Sequence, residues 1–357
     1  MSSPQYLADF SLALINRTGA YYVCRDVVER LNHFFPAVRY WRFFEQSEPQ
    51  GLMRKLLGRA MLYELGRITR SKLFLRPHND LPTLFLDPLY VLRARLEARD
   101  IVLCHDVGPL THTELFYAST TAMYERAYAE IKRAKPGMVF VSESSRTEFM
   151  SLFGEDFRFL KVIPLYVRKA LAGDAETAPP GVTKPFLLTV GALEVRKNHK
   201  RIIEAFLASG LREHGYSYVF CGPRGNSADE VQALAATTPG VHGFGYLSDA
   251  EVRWLYRNAT GFVLPSLLEG FGLPPLEAAQ QGLVSIVSRD GAQKEAVGEG
   301  AILVDPKSVS DIAAGMQRLA AMPEDERQHR LTLARSHADA LSQELYLQRW
   351  SDLLSSN

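Results

Sequence analysis

Two glutamates eight residues apart enclose a glycine-rich turn in Ser266-Leu267-Leu268-Glu269-Gly270-Phe271-Gly272-Leu273-Pro274-Pro275-Leu276-Glu277-Ala278. A pair of carboxylates at that spacing can flank one bound molecule and accept hydrogen bonds from its hydroxyls. Gly270 and Gly272 let a ligand approach the main chain closely. Pro274 and Pro275 suit a first helical turn, where a missing N–H costs least. The N–H groups of Gly270, Phe271, Gly272 and Leu273 are then the ones left to face an anion at the positive end of the helix dipole. The expected chemistry is a cradle for a sugar and a phosphate. A plain strand, turn and helix with solvated glutamates is the competing reading.

A second group lies in Leu188-Thr189-Val190-Gly191-Ala192-Leu193-Glu194-Val195-Arg196-Lys197-Asn198-His199-Lys200-Arg201. Asn198 is placed to cap a helix running to Ser209. Cations at a helix start oppose its dipole by about 0.3 to 1 kcal/mol each, so Arg196 and Lys197 need an offsetting gain. A diphosphate supplies one: Arg196 can grip it through two parallel hydrogen bonds while Lys197 adds a point charge. Lys200 and Arg201 are expected to stay solvated. Farther upstream the apolar run Ile101-Val102-Leu103-Cys104 ends in His105-Asp106. Ligands of open α/β sheets bind outside the carboxyl ends of strands, which puts this pair at a binding crevice. His105 is expected to orient a sugar or acceptor, with Asp106 fixing its tautomer or accepting an acceptor hydroxyl.

The string from Ser266 to Ala278 resembles the donor-site signature of the retaining glycosyltransferases of family four. That resemblance implies that Glu269 meets the donor sugar's hydroxyls and Glu277 the nucleotide ribose. The string from Leu188 to Arg201 is similar to the family's pyrophosphate loop, with Ala192 where many relatives carry arginine. Arg196 and Lys197 are then left to meet the leaving-group charge. Gly243-Phe244-Gly245-Tyr246-Leu247-Ser248-Asp249-Ala250-Glu251 reads as a strand end and a capping box of Ser248 with Glu251. In the family this turn holds the nucleobase, which implies backbone contacts from Gly245, Tyr246 and Leu247. Asn16-Arg17-Thr18-Gly19-Ala20-Tyr21-Tyr22 looks like the family's first glycine-containing loop, with Gly19 as the one position carried over. A simple helix-entry turn accounts for it equally well.

These groups need strands to carry them, and the chain supplies short apolar runs alternating with helical patterns, the mark of parallel α/β sheets. Strands are expected at 7–10, 38–43, 101–104, 138–141 and 159–163, then at 186–190, 218–221, 261–264, 284–287 and 301–304. The small, polar, proline-containing stretch 170–181 between the two sets has the composition of a linker. At 357 residues the chain exceeds what one core comfortably supports, so two domains are expected. The family resemblance implies the α/β GT-B architecture, two facing Rossmann-like domains with an interdomain active-site cleft. Residues 1–175 would be the acceptor-side domain, 182–335 the donor domain, and 336–357 a last helix crossing back to the first. Residues 343–354 also fit an ordinary amphipathic helix on their own domain.

Composition, 46% hydrophobic and 23% charged, is that of a globular chain. A net charge of +1 argues against a dedicated nucleic-acid partner. Cys24, Cys104 and Cys221 show neither metal spacing nor pairing, as a reducing compartment permits, and the expected location is cytoplasmic. Between Gly51 and Arg76 seven basic residues face one acid, Glu64, among leucines and aromatics. Such a basic amphipathic stretch can lie on an anionic membrane, although a lid or a protein-contact surface fits the pattern too. Arg54, Lys55, Arg59 and Arg67 are its first candidates.

The sequence has no P-loop, HExxH, GxSxG or Asp-x-Asp string, so no metal and no resident cofactor are expected. The donor phosphates would be met by Arg196, Lys197 and a helix N-terminus. EGFGLPPLEA with HDVGPL looks most like bacterial mannosyltransferases that use GDP-mannose. The implied partners are a nucleotide-sugar donor and a polysaccharide or lipid-linked glycan acceptor. Two other classes remain open at this point: a non-catalytic sugar-binding or scaffolding subunit, and an NAD-type oxidoreductase, which the absence of GxGxxG after a first strand disfavours.

Overall fold

The computed structural model describes residues 4–15, 17, 19–45, 47–68, 78–167 and 175–357. They form two compact units, Met1–Leu165 with Gln343–Asn357, and Tyr166–Ser342.

The first unit is built on seven strands: β1 Leu7–Asp9, β2 Ala37–Tyr40, β3 Phe43–Glu45, β4 Thr83–Phe85, β5 Ile101–Cys104, β6 Gly137–Phe140 and β7 Phe159–Val162. Their order is β3-β2-β1-β4-β5-β6-β7, parallel throughout except for β2 with β3. Every residue of β4, β5 and β6 is buried, as strands covered on both faces require. The single strand expected over 38–43 is instead a hairpin. Trp41 turns the chain at φ 59°, its N–H donating to Ser11 Oγ at 2.9 Å, and β3 returns antiparallel. Thr83–Phe85 went unanticipated because three residues show no periodicity.

Part of the basic stretch forms the helix Gly51–Ile68; residues 69–76 of it lie outside the described residues. Met61 and Leu65 are its buried side. Gly58 permits a close approach, since a Cβ there would stand 2.8 Å from the Leu14 carbonyl oxygen. Arg54 turns inward and donates to that same carbonyl at 3.0 Å. Glu64, the lone acid, accepts from the Trp41 indole and pairs with Arg42. Leu52, Met53, Leu56 and Tyr63 are left exposed beside exposed Lys55, Arg59 and Arg67. The helix Gln343–Ser355 belongs to this first unit: Tyr346 donates to the Val23 carbonyl at 3.3 Å, Tyr6 to the Leu354 carbonyl at 3.2 Å, and Trp350 is fully buried.

The second unit carries β8 Phe186–Val190, β9 Ser217–Cys221, β10 Val241–Phe244, β11 Gly261–Leu264, β12 Ser285–Ser288 and β13 Ile302–Val304. They are all parallel, in the order β10-β9-β8-β11-β12-β13. Apolar clusters cover both faces, one including Ile202, Phe206, Ile312 and Met316, the other Leu255, Tyr256 and Ala278. Residues 175–177 of the expected linker pack on the helix Asp249–Asn258: Arg253 donates to the Ala175 carbonyl at 3.0 Å and Arg257 pairs with Glu176 at 2.5 Å. Residues 168–174 lie outside the described residues. In each sheet the strand order reverses beside the first strand, at β1/β4 and at β8/β11. These switch points are where such sheets open a crevice for ligands.

Candidate active site

In the second unit the loops leaving β8 and β11 are tied together at the switch point. The Leu267 N–H donates to the Arg196 carbonyl at 2.8 Å, and Asn198 Nδ2 donates to the carbonyls of Pro265 at 2.9 Å and Pro306 at 2.7 Å. Asn198 therefore does not cap the helix His199–Ala208 through its side chain, as the sequence suggested. It sits in the left-handed region at φ 66°, a conformation asparagine tolerates, and spends its amide on fastening two loops. Arg201 Nη1 donates to Asn198 Oδ1 at 2.6 Å, so it is held inward, while Lys200 is exposed and pairs with Glu230.

The two cations of interest occupy the short 3-10 turn Val195–Lys197. Lys197 Nζ lies 2.5 Å from Glu269 Oε1, with side-chain exposures of 8% and 7%. Arg196 Nη1 reaches Glu269 Oε2 at 3.3 Å and its Nε meets Glu194 Oε2 at 2.6 Å. Ser266 Oγ donates to Glu269 Oε1 at 2.8 Å. Burial pushes the Glu269 carboxyl up, but the Lys197 and Arg196 charges outweigh it, and the group titrates below the usual carboxylate range. Burial pulls Lys197 down, with Glu269 restoring part of the loss. The cations at the helix start thus already have an offset within the chain, in Glu269 and Glu194. A diphosphate is not required to explain them; it would compete for the same donors.

The turn between the glutamates follows the sequence reading. Gly272 takes φ 120°, a region closed to other L-residues without strain, and the helix Leu273–Gln280 begins with both prolines in its first turn. Phe271 and Leu273 are buried, and Glu277 is half-buried one turn into the helix. Gly245 and Tyr246 are exposed, Tyr246 at 86%, and Ser248 and Glu251 form the capping box.

In the first unit His105 follows β5, but Asp106 does not hold its ring. His105 Nε2 lies 3.1 Å from the Leu86 carbonyl, which can only accept, so Nε2 carries the proton. The Asp106 carboxylate instead accepts the Gly108 N–H at 2.9 Å, closing its own turn. The neighbour missed in the sequence is Asp87, at the end of β4. It accepts the Leu89 N–H at 2.8 Å and the Tyr124 hydroxyl at 3.2 Å. Burial raises its carboxyl, and the attraction of His105 draws it part of the way back. Asp87 followed by Pro88 is a helix-start signature that marked the place, though not the chemistry. Gly19 opens the helix Gly19–Arg30; Asn16 and Thr18 lie outside the described residues.

Comparison with known proteins bears on both units. The family described as glycosyl transferases group 1 matches residues 175–334, the stretch that holds the Arg196, Lys197 and Glu269 cluster. The O-antigen chain mannosyltransferase B of Escherichia coli is 27% identical over 330 residues, covering 85% of this chain and 84% of that protein. Residues 175–334 match that family, and the chain is a glycosyltransferase. A serotype-specific mannosyltransferase of Escherichia coli is 25% identical over 288 residues, of which this chain spans 34% of the length. The solved structure of HepE from Anabaena, in complex with UDP and glucose, aligns over 99% of this chain and 100% of that one at a TM-score of 0.68 and 15% identity. That likeness places the glycosyltransferase in the two-domain α/β GT-B fold. Its chemistry is hexosyl transfer.

Proposed function

We propose that this glycosyltransferase moves mannose from GDP-mannose to a hydroxyl of a polysaccharide or lipid-linked glycan, with retention at the anomeric carbon and without a metal ion. The observation that carries the reading is the Arg196, Lys197 and Glu269 cluster at the β8/β11 switch point. The mannosyltransferase relatives support the choice of sugar. An entering diphosphate takes over the N–H donors of Arg196 and Lys197, whose charge stabilises it as it departs. Glu269 turns to the sugar hydroxyls and Glu277 to the ribose. The backbone of Gly245, Tyr246 and Leu247 meets the base, and the N–H groups of Gly270, Phe271, Gly272 and Leu273 face the anion. In the same-face substitution the acceptor oxygen bonds to the anomeric carbon as the bond to the diphosphate breaks. The acceptor proton passes to the leaving phosphate oxygen. His105 orients the sugar or acceptor, and Asp106 is on the acceptor side.

The exposed side of the helix Gly51–Ile68 supports a peripheral contact with an anionic membrane at its cytoplasmic face. Lys55, Arg59 and Arg67 supply charge there, and Leu52, Leu56 and Tyr63 supply apolar contact.

The test is transfer by the purified chain from GDP-mannose, UDP-glucose and dTDP-rhamnose to a glycan acceptor, with and without a chelator. Proton NMR of the product reads the anomeric configuration. Turnover with GDP-mannose, unchanged by chelation and giving an α-linkage, is the expected result. Nucleotide binding without turnover of any donor would favour a sugar-binding subunit.

A further inference from the structure

Behind the turn that carries Glu269 stands Gln293, near the start of the helix Ala292–Val297 and only 2% exposed. Its amide serves three backbone groups at the carboxyl ends of two strands. Nε2 donates to the Leu264 carbonyl at 2.8 Å, while Oε1 accepts the N–H groups of Ser266 and Ser288, each at 3.2 Å. One donor and two acceptor sites are needed in one place, and the carboxamide supplies them on two separate atoms. The far end of the turn rests on the same residue, since a Cβ on Gly272 would stand 3.4 Å from Gln293 Cα. Ser266, tethered through its N–H, passes the constraint on: its hydroxyl donates to Glu269 Oε1 at 2.8 Å, and its carbonyl accepts from Ser288 Oγ at 2.5 Å.

We infer that Gln293 is a positioning residue for the donor site, fixing Glu269 through Ser266 so that the turn is set for a nucleoside diphosphate sugar before it binds. The inference rests on the donor-site reading above. No atom of Gln293 needs to touch the donor. Its contribution is pre-organisation: a turn held at both ends does not lose freedom on binding, and a carboxylate displaced by about 1 Å loses much of its value.

The experiment compares the full-length wild type with Gln293→Met, Ser266→Ala and the double variant. Calorimetry with GDP and UDP, and steady-state kinetics with donor and acceptor varied in turn, are the readouts. Gln293→Met is expected to raise the donor KM about tenfold or more, with the acceptor KM unchanged and free GDP or UDP still bound near wild-type strength. In the Ser266→Ala background the same replacement should add little, because the two act in series. Gln293→Glu keeps the size but loses the donor to Leu264, and should be as harmful as Gln293→Met. Where Gln293→Met fails to fold, Gln293→Asn keeps the amide one methylene short and should show the same donor-selective loss in milder form. A folded Gln293 variant with wild-type donor KM overturns the inference alone, as does an effect fully independent of Ser266. A wild type that binds neither nucleotide overturns the donor-site reading with it.

Discussion

Lys197 and Glu269, 72 residues apart in the chain, meet at 2.5 Å with almost no access to water. The contact joins the loop after β8 to the loop after β11, so it closes the switch point of the second sheet. A desolvated pair of this kind contributes little net stability against an apolar equivalent, yet removing one partner strands the other. The pair therefore holds two groups of opposite charge in a dry place, where each acts strongly on a ligand.

That relation separates fold from function in a single set of variants. Lys197→Met leaves the Glu269 carboxylate with Arg196 and the Ser266 hydroxyl, and Glu269→Gln leaves the ammonium poorly matched. Breaking one side of a buried pair costs about 3 to 5 kcal/mol. The double variant Lys197→Met with Glu269→Gln should recover much of this in urea denaturation, because no unpaired charge remains, while transfer stays lost. Recovery of transfer along with stability would show that the pair is only structural.

Glu269 and Glu277 should differ in what their loss damages. Glu269→Gln is expected to depress turnover while free GDP or UDP binds near wild-type strength. Glu277→Gln should weaken the free nucleotide directly, by about 1.5 to 3 kcal/mol for a hydrogen bond to a charged group. Calorimetry on the two variants decides the assignment, and equal nucleotide affinity in wild type and Glu277→Gln would refute the ribose contact.

His199 gives a pH prediction. Its Nε2 donates to the Ala192 carbonyl at 3.3 Å, and burial, helped by nearby Lys197, lowers the imidazole to about 4 from 6.5. Between those values the unfolded chain holds a proton that the folded one does not. Stability is therefore complete above the unfolded value and falls as pH drops toward 4, by about 3 kcal/mol over the window. The Glu269 loss begins only below the ordinary glutamate value of 4.5, since that group is depressed in the fold. Amide exchange in β8, followed from pH 7 to pH 5, should show protection declining in wild type and nearly flat in His199→Gln.

Periodicity located the strands with long apolar runs: Ile101–Cys104, Phe186–Val190 and Gly261–Leu264 form where the pattern put them. The turn between Glu269 and Glu277 was legible because glycine and proline constrain the backbone locally. Partners brought together by tertiary structure were not. Asn198 reads as a cap, and only the fold reveals the Pro265 and Pro306 carbonyls that claim its amide. His105 and Asp106 are adjacent in sequence, yet successive residues at a strand end diverge, so the ring turned to the β4 end, near Asp87. Gln293 carries no motif at all; only the fold brings it to three backbone groups at the ends of β11 and β12. Arg54 counted as one more surface cation until the Leu14 carbonyl drew it inward.

That last detail refines the test of the helix Gly51–Ile68. Arg54 is engaged with Leu14, so the charge available to a membrane is that of Lys55, Arg59 and Arg67, each contributing about 1 kcal/mol near an anionic surface. The triple replacement by glutamine should abolish co-sedimentation with anionic vesicles, and raised salt should do the same to wild type, since exposed charges are screened. Leu52→Ser with Leu56→Ser should weaken binding even at low salt, because both side chains are exposed, at 73% and 52%, and apolar insertion adds to the electrostatic attraction. Transfer to a short soluble acceptor should continue in every variant. Vesicle binding that survives both the charge replacements and high salt would exclude this face as the anchor. Loss of soluble-acceptor transfer would assign the helix to the acceptor path instead.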